Sequence, residues 1–442
     1  MKSKYILYCS RYVSTAGLVV FASLIISSII VYTADCKGQE TENQKLSPEA
    51  YAKSIVYENP GILKAHDILP KELLESEYHT VMEEVATYDL TNRFTILSTF
   101  GPFEAIGEYM LRIRIQEIQA IAALQEIKKT KAFRNAAEQA AMSSFRGAKN
   151  LIIHPVDTVT GVPKGVGRLF SRVGGGRGDQ EESVAKELVG FSRVKRQYAH
   201  KLGVDVYSSN KVLQKELNSV AWAGFAGGVG VSLATMPVKS ASKAAYTSIK
   251  ATKFTYAMNK IMLDNDPEDL RQINRELLQQ MLVKELVIEE FLNHPLFSPR
   301  HETFIVHALA AMKGVRNRDQ FIKQANFAVY EEDAFFFQRI AEMMYSYHNN
   351  VDPIAEIIPV RRAVVGYTTG LSIVATLPMD YVYWTERADK GIEALLKLES
   401  MGRPPVKIMR LFITGRLSPK TKLELMAKGI EYRENLSVVW RK

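Results

Sequence analysis

The sequence predicts a mainly helical protein with mixed elements, of the α+β class. Long stretches in the middle of the chain repeat apolar residues at helical spacing, whereas shorter apolar runs towards both ends are bounded by turn residues. The 442 residues suffice for two or three domains, and 47% hydrophobic with 24% charged residues is typical of a folded chain. We expect a small α+β unit, a central helical domain and a small α/β unit, in that order.

Changes in composition divide the chain further. The polar tether is interrupted by prolines, and the linker combines glycines with an excess of basic residues. The predicted segments are a signal peptide or signal anchor (1–34), a polar tether (35–75), a small α+β unit (76–153), a basic Gly/Pro-rich linker (154–180), a helical domain (181–350) and a small α/β unit (351–442).

The amino terminus has the pattern of an export signal. Basic residues precede an apolar run from Ala16 to Ala34, and a polar tail follows. Cleavage after Ala34 departs from the usual pattern because Tyr32 is bulky, and the run is nearly long enough for an uncleaved anchor. Cys36 resembles a lipidated cysteine, although Asp35 stands where a small residue is usual. Cleavage, anchoring and lipidation all stay open.

The first folded unit begins with a hairpin. Residues 80–85 and 94–97 read as two strands, and residues 103–107 as a third extended piece. Apolar residues then recur at helical spacing, which predicts one helix ending near Lys129 and a second over residues 132–152.

The central domain reads as a series of helices. Asn210 belongs to a polar cluster that supplies an amino-terminal cap for a helix starting near Lys211. The other helices are predicted at residues 183–202, 270–293, 302–313 and 320–347.

The carboxy-terminal part alternates strands and helices. We predict a hairpin from residues 363–367 and 371–376, a helix with Trp384 and Ile392 on one face, and a strand at 406–413. A helix at 419–427 with Ser418 as its cap and a last strand at 430–433 complete a small α/β unit.

One apolar, glycine-rich segment, residues 217–238, contains no charged side chain. Its small residues recur four apart, a spacing that lets two helices approach closely in a membrane. The same spacing also suits a buried helix of a soluble bundle. Both interpretations stay open.

Lysines follow this segment at helical spacing, and no acidic residue intervenes before Asp264. A basic helix after an apolar segment is typical of contact with anionic headgroups, although a lysine stripe is also a common solvated face. The candidate membrane- or anion-binding residues are Lys239, Lys243, Lys250, Lys253 and Lys260.

Signals of catalysis are weak. His301 and His307 are six residues apart, whereas two metal ligands on one helix face need a spacing of four. Asp380 follows a predicted strand, where α/β sheets place ligand sites, but it also suits the amino-terminal cap of the next helix, which we favour. We therefore identify no catalytic residue and expect no cofactor and no metal.

The net charge of +9 favours anionic partners. We expect an exported cell-envelope protein of the bacterial kind, with a non-enzymatic membrane-surface or scaffold role and an anionic lipid or envelope polymer as partner. A protein partner is an alternative, nucleic acid is not expected, and the oligomeric state is open. The alternative function is an exported hydrolase with a site near the C-terminal α/β unit.

Overall fold

A computed structural model describes residues 57–88, 90–142, 179–227, 252–398 and 406–436, with the side chains of 179–188 excepted. All belong to one compact unit, Tyr57–Lys442. They are mainly helical with several sheets, which confirms the predicted mainly α, mixed α+β class. The export segment with Ala34 and Cys36, the glycine-rich linker up to residue 178 and the segment 228–251 lie outside the described residues.

An antiparallel sheet opens the described chain, in the order β1-β3-β4-β2 with β5 also paired to β4. Its strands are β1 (Ile62–Lys64), β2 (His79–Val81), β3 (Glu84–Tyr88), β4 (Thr91–Ser98) and β5 (Gly101–Ile106). A hairpin is confirmed at β3 and β4, with Leu90 in its turn at φ 78°. The first strand, predicted over 80–85, is instead divided between β2 and β3. Phe94 and Ile96 of β4 point inward and share a core with the helix that follows β5.

The end of the expected tether is folded into this sheet, which corrects its predicted boundary at residue 75. Besides β1 it forms two short helices, α1 (Ala65–Ile68) and α2 (Lys71–Leu74). Ala65, Leu69 and Leu73 are buried in the core of the sheet. Burial of these three apolar side chains fixes a segment whose prolines had predicted a tether.

Four helices form the next layer: α3 (Glu108–Lys129), α4 (Lys131–Met142), α5 (Asp179–Leu202) and α6 (Lys211–Ala226). Helix α6 packs against the other three, with Leu217 and Val220 completely buried. The Asn210 cap is confirmed, since its side chain accepts the Val212 and Leu213 N–H groups at 3.1 Å. Residues 217–226 of the apolar segment therefore lie on a core helix.

Six further helices follow: α7 (Lys253–Asp264), α8 (Pro267–Gln280), α9 (Glu285–Leu292), α10 (Pro299–Ala311), α11 (Arg318–Ala325) and α12 (Glu331–Asn350). Two predicted long helices are each divided. The first is interrupted at Leu282, which has φ 62°, and the second ends at Asn326 before restarting at Glu331. Helix α9 packs against α11.

The C-terminal sheet has the order β12-β10-β8-β7-β6. Its strands are β6 (Ile354–Val360), β7 (Ala363–Thr368), β8 (Ser372–Leu377), β10 (Ile408–Ile413) and β12 (Ile430–Arg433). The β7–β8 pair confirms the predicted hairpin, while β8, β10 and β12 run parallel and are connected through α13 (Glu386–Leu396) and α14 (Pro419–Ala427). A short parallel pair, β9 (Tyr381–Val382) and β11 (Arg416–Leu417), lies beside it.

This sheet is covered on both faces. Ile357 and Val374 face the helical core that includes α10–α12. Val365 and Ala375 face a second core formed with α13 and α14. The C-terminal sheet is therefore the middle layer of three, and its core is continuous with that of the preceding helices.

Candidate functional site

Asp380 connects the C-terminal sheet to the N-terminal sheet and to α3. Its Oδ2 accepts a hydrogen bond from the Asn92 N–H at 2.8 Å, and its Oδ1 accepts one from the Glu108 N–H at 3.0 Å. Glu108 is the first residue of α3, where the helix macrodipole favours a negative charge. The expected capping role was therefore assigned to the wrong helix: Thr385 caps α13, and Asp380 caps α3.

The backbone of Asp380 also forms hydrogen bonds to distant segments. Its N–H donates to the Leu90 carbonyl at 3.1 Å, and its carbonyl accepts from the Arg416 N–H at 2.8 Å. A Cβ on Gly415 would lie 1.8 Å from the Asp380 carbonyl oxygen, so only glycine allows this approach. Asp380 is thus part of a junction between distant segments.

Burial raises the pKa of Asp380 to about 7, against the opposing effect of the Asn92 and Glu108 N–H donors. Its carboxyl group therefore changes charge near neutral pH. Among the described residues, no histidine, serine or threonine side chain hydrogen-bonds this carboxyl group. Its contacts are those of a structural junction more than of a general base.

The described part of the chain contains no cluster of three or more His, Cys, Asp or Glu side chains able to hold a metal ion. His301 is instead a core residue. Its Nδ1 accepts the Ser298 N–H at 3.2 Å, and its ring meets the Phe335 ring edge-on with the centroids 4.4 Å apart. Burial lowers the pKa of His301 to about 3, so the imidazole is neutral under ordinary conditions.

A cavity of about 1320 Å³ adjoins Asp380. Its lining residues come from the β3–β4 hairpin, from α3, α7 and α12, and from the C-terminal sheet and α13, so the space lies among several segments. A volume of this order exceeds the roughly 300–1,000 Å³ that small-molecule sites commonly provide.

Exposed arginines also line this cavity: Arg93, Arg361, Arg362 and Arg387. Three of them, Arg93, Arg361 and Arg362, have no ion pair within the described residues. Two of the lining carboxylates form ion pairs with arginines. Glu342 pairs with Arg339 at 2.5 Å, and Glu108 pairs with Arg112. Glu332 and Asp333 also line the cavity, so charges of both signs face it.

Two of the five candidate lysines lie within the described residues. Lys253 and Lys260 are exposed on α7, and Tyr256 between them is 66% exposed. The buried side of the same helix carries Met258 and Met262. Lys260 Nζ forms an ion pair with Asp264 at 2.7 Å. The other three, Lys239, Lys243 and Lys250, lie outside the described residues.

Sequence reasoning missed the arginines and the cavity. Arg361 and Arg362 form the turn between β6 and β7, where Arg361 has φ 53°. Two adjacent arginines between apolar runs were the available signal. The cavity itself is lined by segments far apart in the chain, which no local pattern records.

Within the described ranges, no helix is long and apolar enough to cross a bilayer. Comparison of the chain with protein-family models, with curated proteins and with solved structures finds no match.

Proposed function

We propose that the protein is an exported, non-enzymatic envelope protein that binds an anionic lipid surface or envelope polymer through the exposed face of α7. The observation that carries this proposal is the position of Lys253, Tyr256 and Lys260 on that face, at i, i+3 and i+7. Such residues lie on one side of a helix, and two cations flanking an amphipathic aromatic ring suit a headgroup region.

The two lysines differ in their charge environment. Lys260 shares its charge with Asp264, whereas Lys253 has no ion pair within the described residues. Lys253 is therefore expected to contribute more to binding. Each free lysine near an anionic surface contributes about 1 kcal/mol.

The test is co-sedimentation with vesicles of phosphatidylglycerol and phosphatidylcholine. We expect the double variant Lys253→Glu, Lys260→Glu to lose most binding, and Lys253→Ala alone to weaken it about fivefold. The control is Lys313→Glu, Lys407→Glu, which changes net charge equally at exposed lysines of other segments. Equal binding by the two double variants would contradict the proposal.

Export is part of the same proposal. Its basis is the apolar run that ends at Ala34, with Cys36 shortly after it. Mass spectrometry of the purified mature chain distinguishes cleavage, lipidation of Cys36 and retention of an anchor. Recovery of an unmodified full-length chain from the cytoplasm alone would contradict export.

A hydrolase near the C-terminal unit is the alternative proposal. It is favoured by a carboxyl group with a pKa near 7 beside a large cavity, because perturbed ionisation clusters at functional sites. The Asp380 contacts with two backbone N–H groups favour a structural role instead. Labelling by a serine-hydrolase probe that Asp380→Asn abolishes, with the fold retained, would support the alternative.

A further inference from the structure

We propose that two copies of this chain associate through α9 and the turn that precedes it, as a dimer with a two-fold axis. This interface is separate from the α7 face and does not depend on it. Three features of the surface support a second copy as the partner: exposed apolar side chains, a leucine in an unfavourable backbone conformation, and charges that match those of the same helix in another copy.

Large apolar side chains are exposed on α9 and beside it. Leu282, in the turn before α9, is 87% exposed, and Leu286, in its first turn, is 71% exposed. The loop after α11 is held against α9, because the Asn326 side chain donates to a backbone carbonyl of α9 at 3.3 Å. Phe327 and Val329 of this loop are also exposed. Exposed apolar side chains on neighbouring segments commonly mark a contact with another protein.

Leu282 has a backbone conformation that is unfavourable for leucine. It follows the carboxyl-terminal cap of α8, and its φ is 62°. Its N–H donates to the Gln279 carbonyl at 2.9 Å, and the Val283 N–H donates to the Leu278 carbonyl at 3.1 Å. These two bonds form a Schellman motif, whose left-handed position is usually glycine because a Cβ is strained there. The exposed Leu282 side chain gains little burial to offset this strain, whereas contact with a second copy would bury it.

The charges along the α8 side of α9 balance one another. Arg275 forms an ion pair with Glu285 and a second one with Glu289 at 2.6 Å, and Arg271 lies 3.7 Å from Glu289. The whole chain carries a net charge of +9, so two copies repel each other wherever their basic surfaces meet. A balanced apolar surface allows two copies to approach without this repulsion.

The remaining charges of α9 match a second copy of the same helix. Lys284 directly precedes the helix and Glu290 lies near its end; both are exposed, and neither has an ion pair within the described residues. A two-fold axis across the middle of α9 makes the two helices antiparallel, so that each Lys284 lies beside the Glu290 of the other copy. The same arrangement places opposite ends of the two helix dipoles side by side, which is favourable. This self-complementarity favours a second copy over an unrelated partner.

The test is sedimentation velocity of the purified full chain without lipid, over a concentration range of about 1–100 μM. We expect a monomer–dimer equilibrium in which the fraction of dimer rises with concentration. A chain that stays monomeric over this range would overturn the proposal.

Exposed leucines provide matched variants. Leu286→Glu places a charge in the interface and should weaken dimerisation by at least about tenfold, whereas Leu423→Glu, at a 66% exposed leucine of α14, should leave it unchanged. Both side chains are exposed in the single chain, so neither change removes a core contact. Equal dimerisation by the two variants would overturn the position of the interface.

Leu282→Gly removes the side chain and keeps the left-handed turn. It should weaken dimerisation about threefold or more, without lowering the stability of the monomer in urea denaturation. Unchanged dimerisation would exclude Leu282 from the interface.

Charge reversal tests the antiparallel arrangement. Lys284→Glu and Glu290→Lys should each weaken dimerisation about threefold or more, because each brings like charges together. The double variant Lys284→Glu, Glu290→Lys should restore dimerisation, since the reversed charges match again. A double variant that dimerises no better than the single ones would overturn the two-fold arrangement.

The variant Lys253→Glu, Lys260→Glu should dimerise as the wild type does. Dimerisation is measured without lipid, so it does not depend on binding to vesicles. Loss of vesicle binding with dimerisation retained separates this interface from the proposed membrane surface, and either proposal can fail without the other.

Discussion

Asp380 accepts a hydrogen bond from the backbone N–H of Glu108, 272 residues earlier in the chain, at 3.0 Å. The same carboxylate accepts the Asn92 N–H at 2.8 Å. One side chain of the C-terminal unit therefore caps the first long helix and holds the end of the β3–β4 hairpin. It is a polar contact between the segment that follows β8 and the N-terminal sheet.

Removal of this carboxylate should destabilise the fold. Asp380→Ala leaves the N–H groups of Asn92 and Glu108 without their acceptor, which we expect to lower the free energy of unfolding by about 2–4 kcal/mol. Urea denaturation measures it. The control is Asp67→Ala at an exposed carboxylate, and a loss no larger than the control's would count against the junction.

The same group should make stability depend on pH. An unfolded aspartate has a pKa of about 3.9, and burial raises the folded pKa of Asp380 to about 7. The folded state therefore holds the proton between these values. The stabilisation is complete below pH of about 4 and is lost as pH rises towards 7.

Asp380→Asn tests this dependence because it cannot ionise. The wild-type free energy of unfolding, minus that of the variant, should fall as pH rises from about 4 to 7. Urea denaturation across this range measures it. A difference that stays constant, or rises, would show that Asp380 is ionised throughout.

The titration of His301 should change stability with pH in the opposite direction to that of Asp380. Burial lowers its folded pKa to about 3, so between that value and the unfolded pKa of about 6.5 only the unfolded chain takes up the proton. Its contribution to stability should be lost as pH falls from about 6.5 to 3. His301→Gln should reduce this acid sensitivity in thermal denaturation, and an unchanged acid slope would argue against a buried neutral ring.

Substitution of two glycines by alanine should change the stability of the fold in opposite directions. Gly391 lies in α13 with open space around a new Cβ, so Gly391→Ala should stabilise by about 0.5–1 kcal/mol. A Cβ on Gly415 would lie 1.8 Å from the Asp380 carbonyl oxygen, so Gly415→Ala should destabilise and separate β9 from β11. Differential scanning calorimetry compares them, and destabilisation by both would refute the open space beside α13.

Local chemistry made much of the fold predictable. Ser418 caps α14, its hydroxyl accepting the Thr421 N–H at 3.0 Å, and the helix occupies Pro419–Ala427 as expected. The Asn210 cap was equally clear. A helix cap involves residues only three or four positions apart, so the local sequence contains everything needed to predict it.

Other elements depend on tertiary context. Strand β6 escaped prediction because Pro359 lies within it, which an edge strand tolerates. The breaks near Leu282 and Asn326 lie inside apolar periodicity that reads as continuous helix. Partners of Asp380 could not be inferred, since Asn92 and Glu108 are hundreds of residues away and contribute only backbone N–H groups.

The central claim is that charge holds this protein at an anionic surface. The most direct measurement is wild-type co-sedimentation with phosphatidylglycerol-containing vesicles and with pure phosphatidylcholine vesicles, each at low and high salt. We predict binding to the anionic vesicles alone and its release by high salt, because salt screens exposed charges. Equal binding to both vesicles, or to neither, would contradict the account.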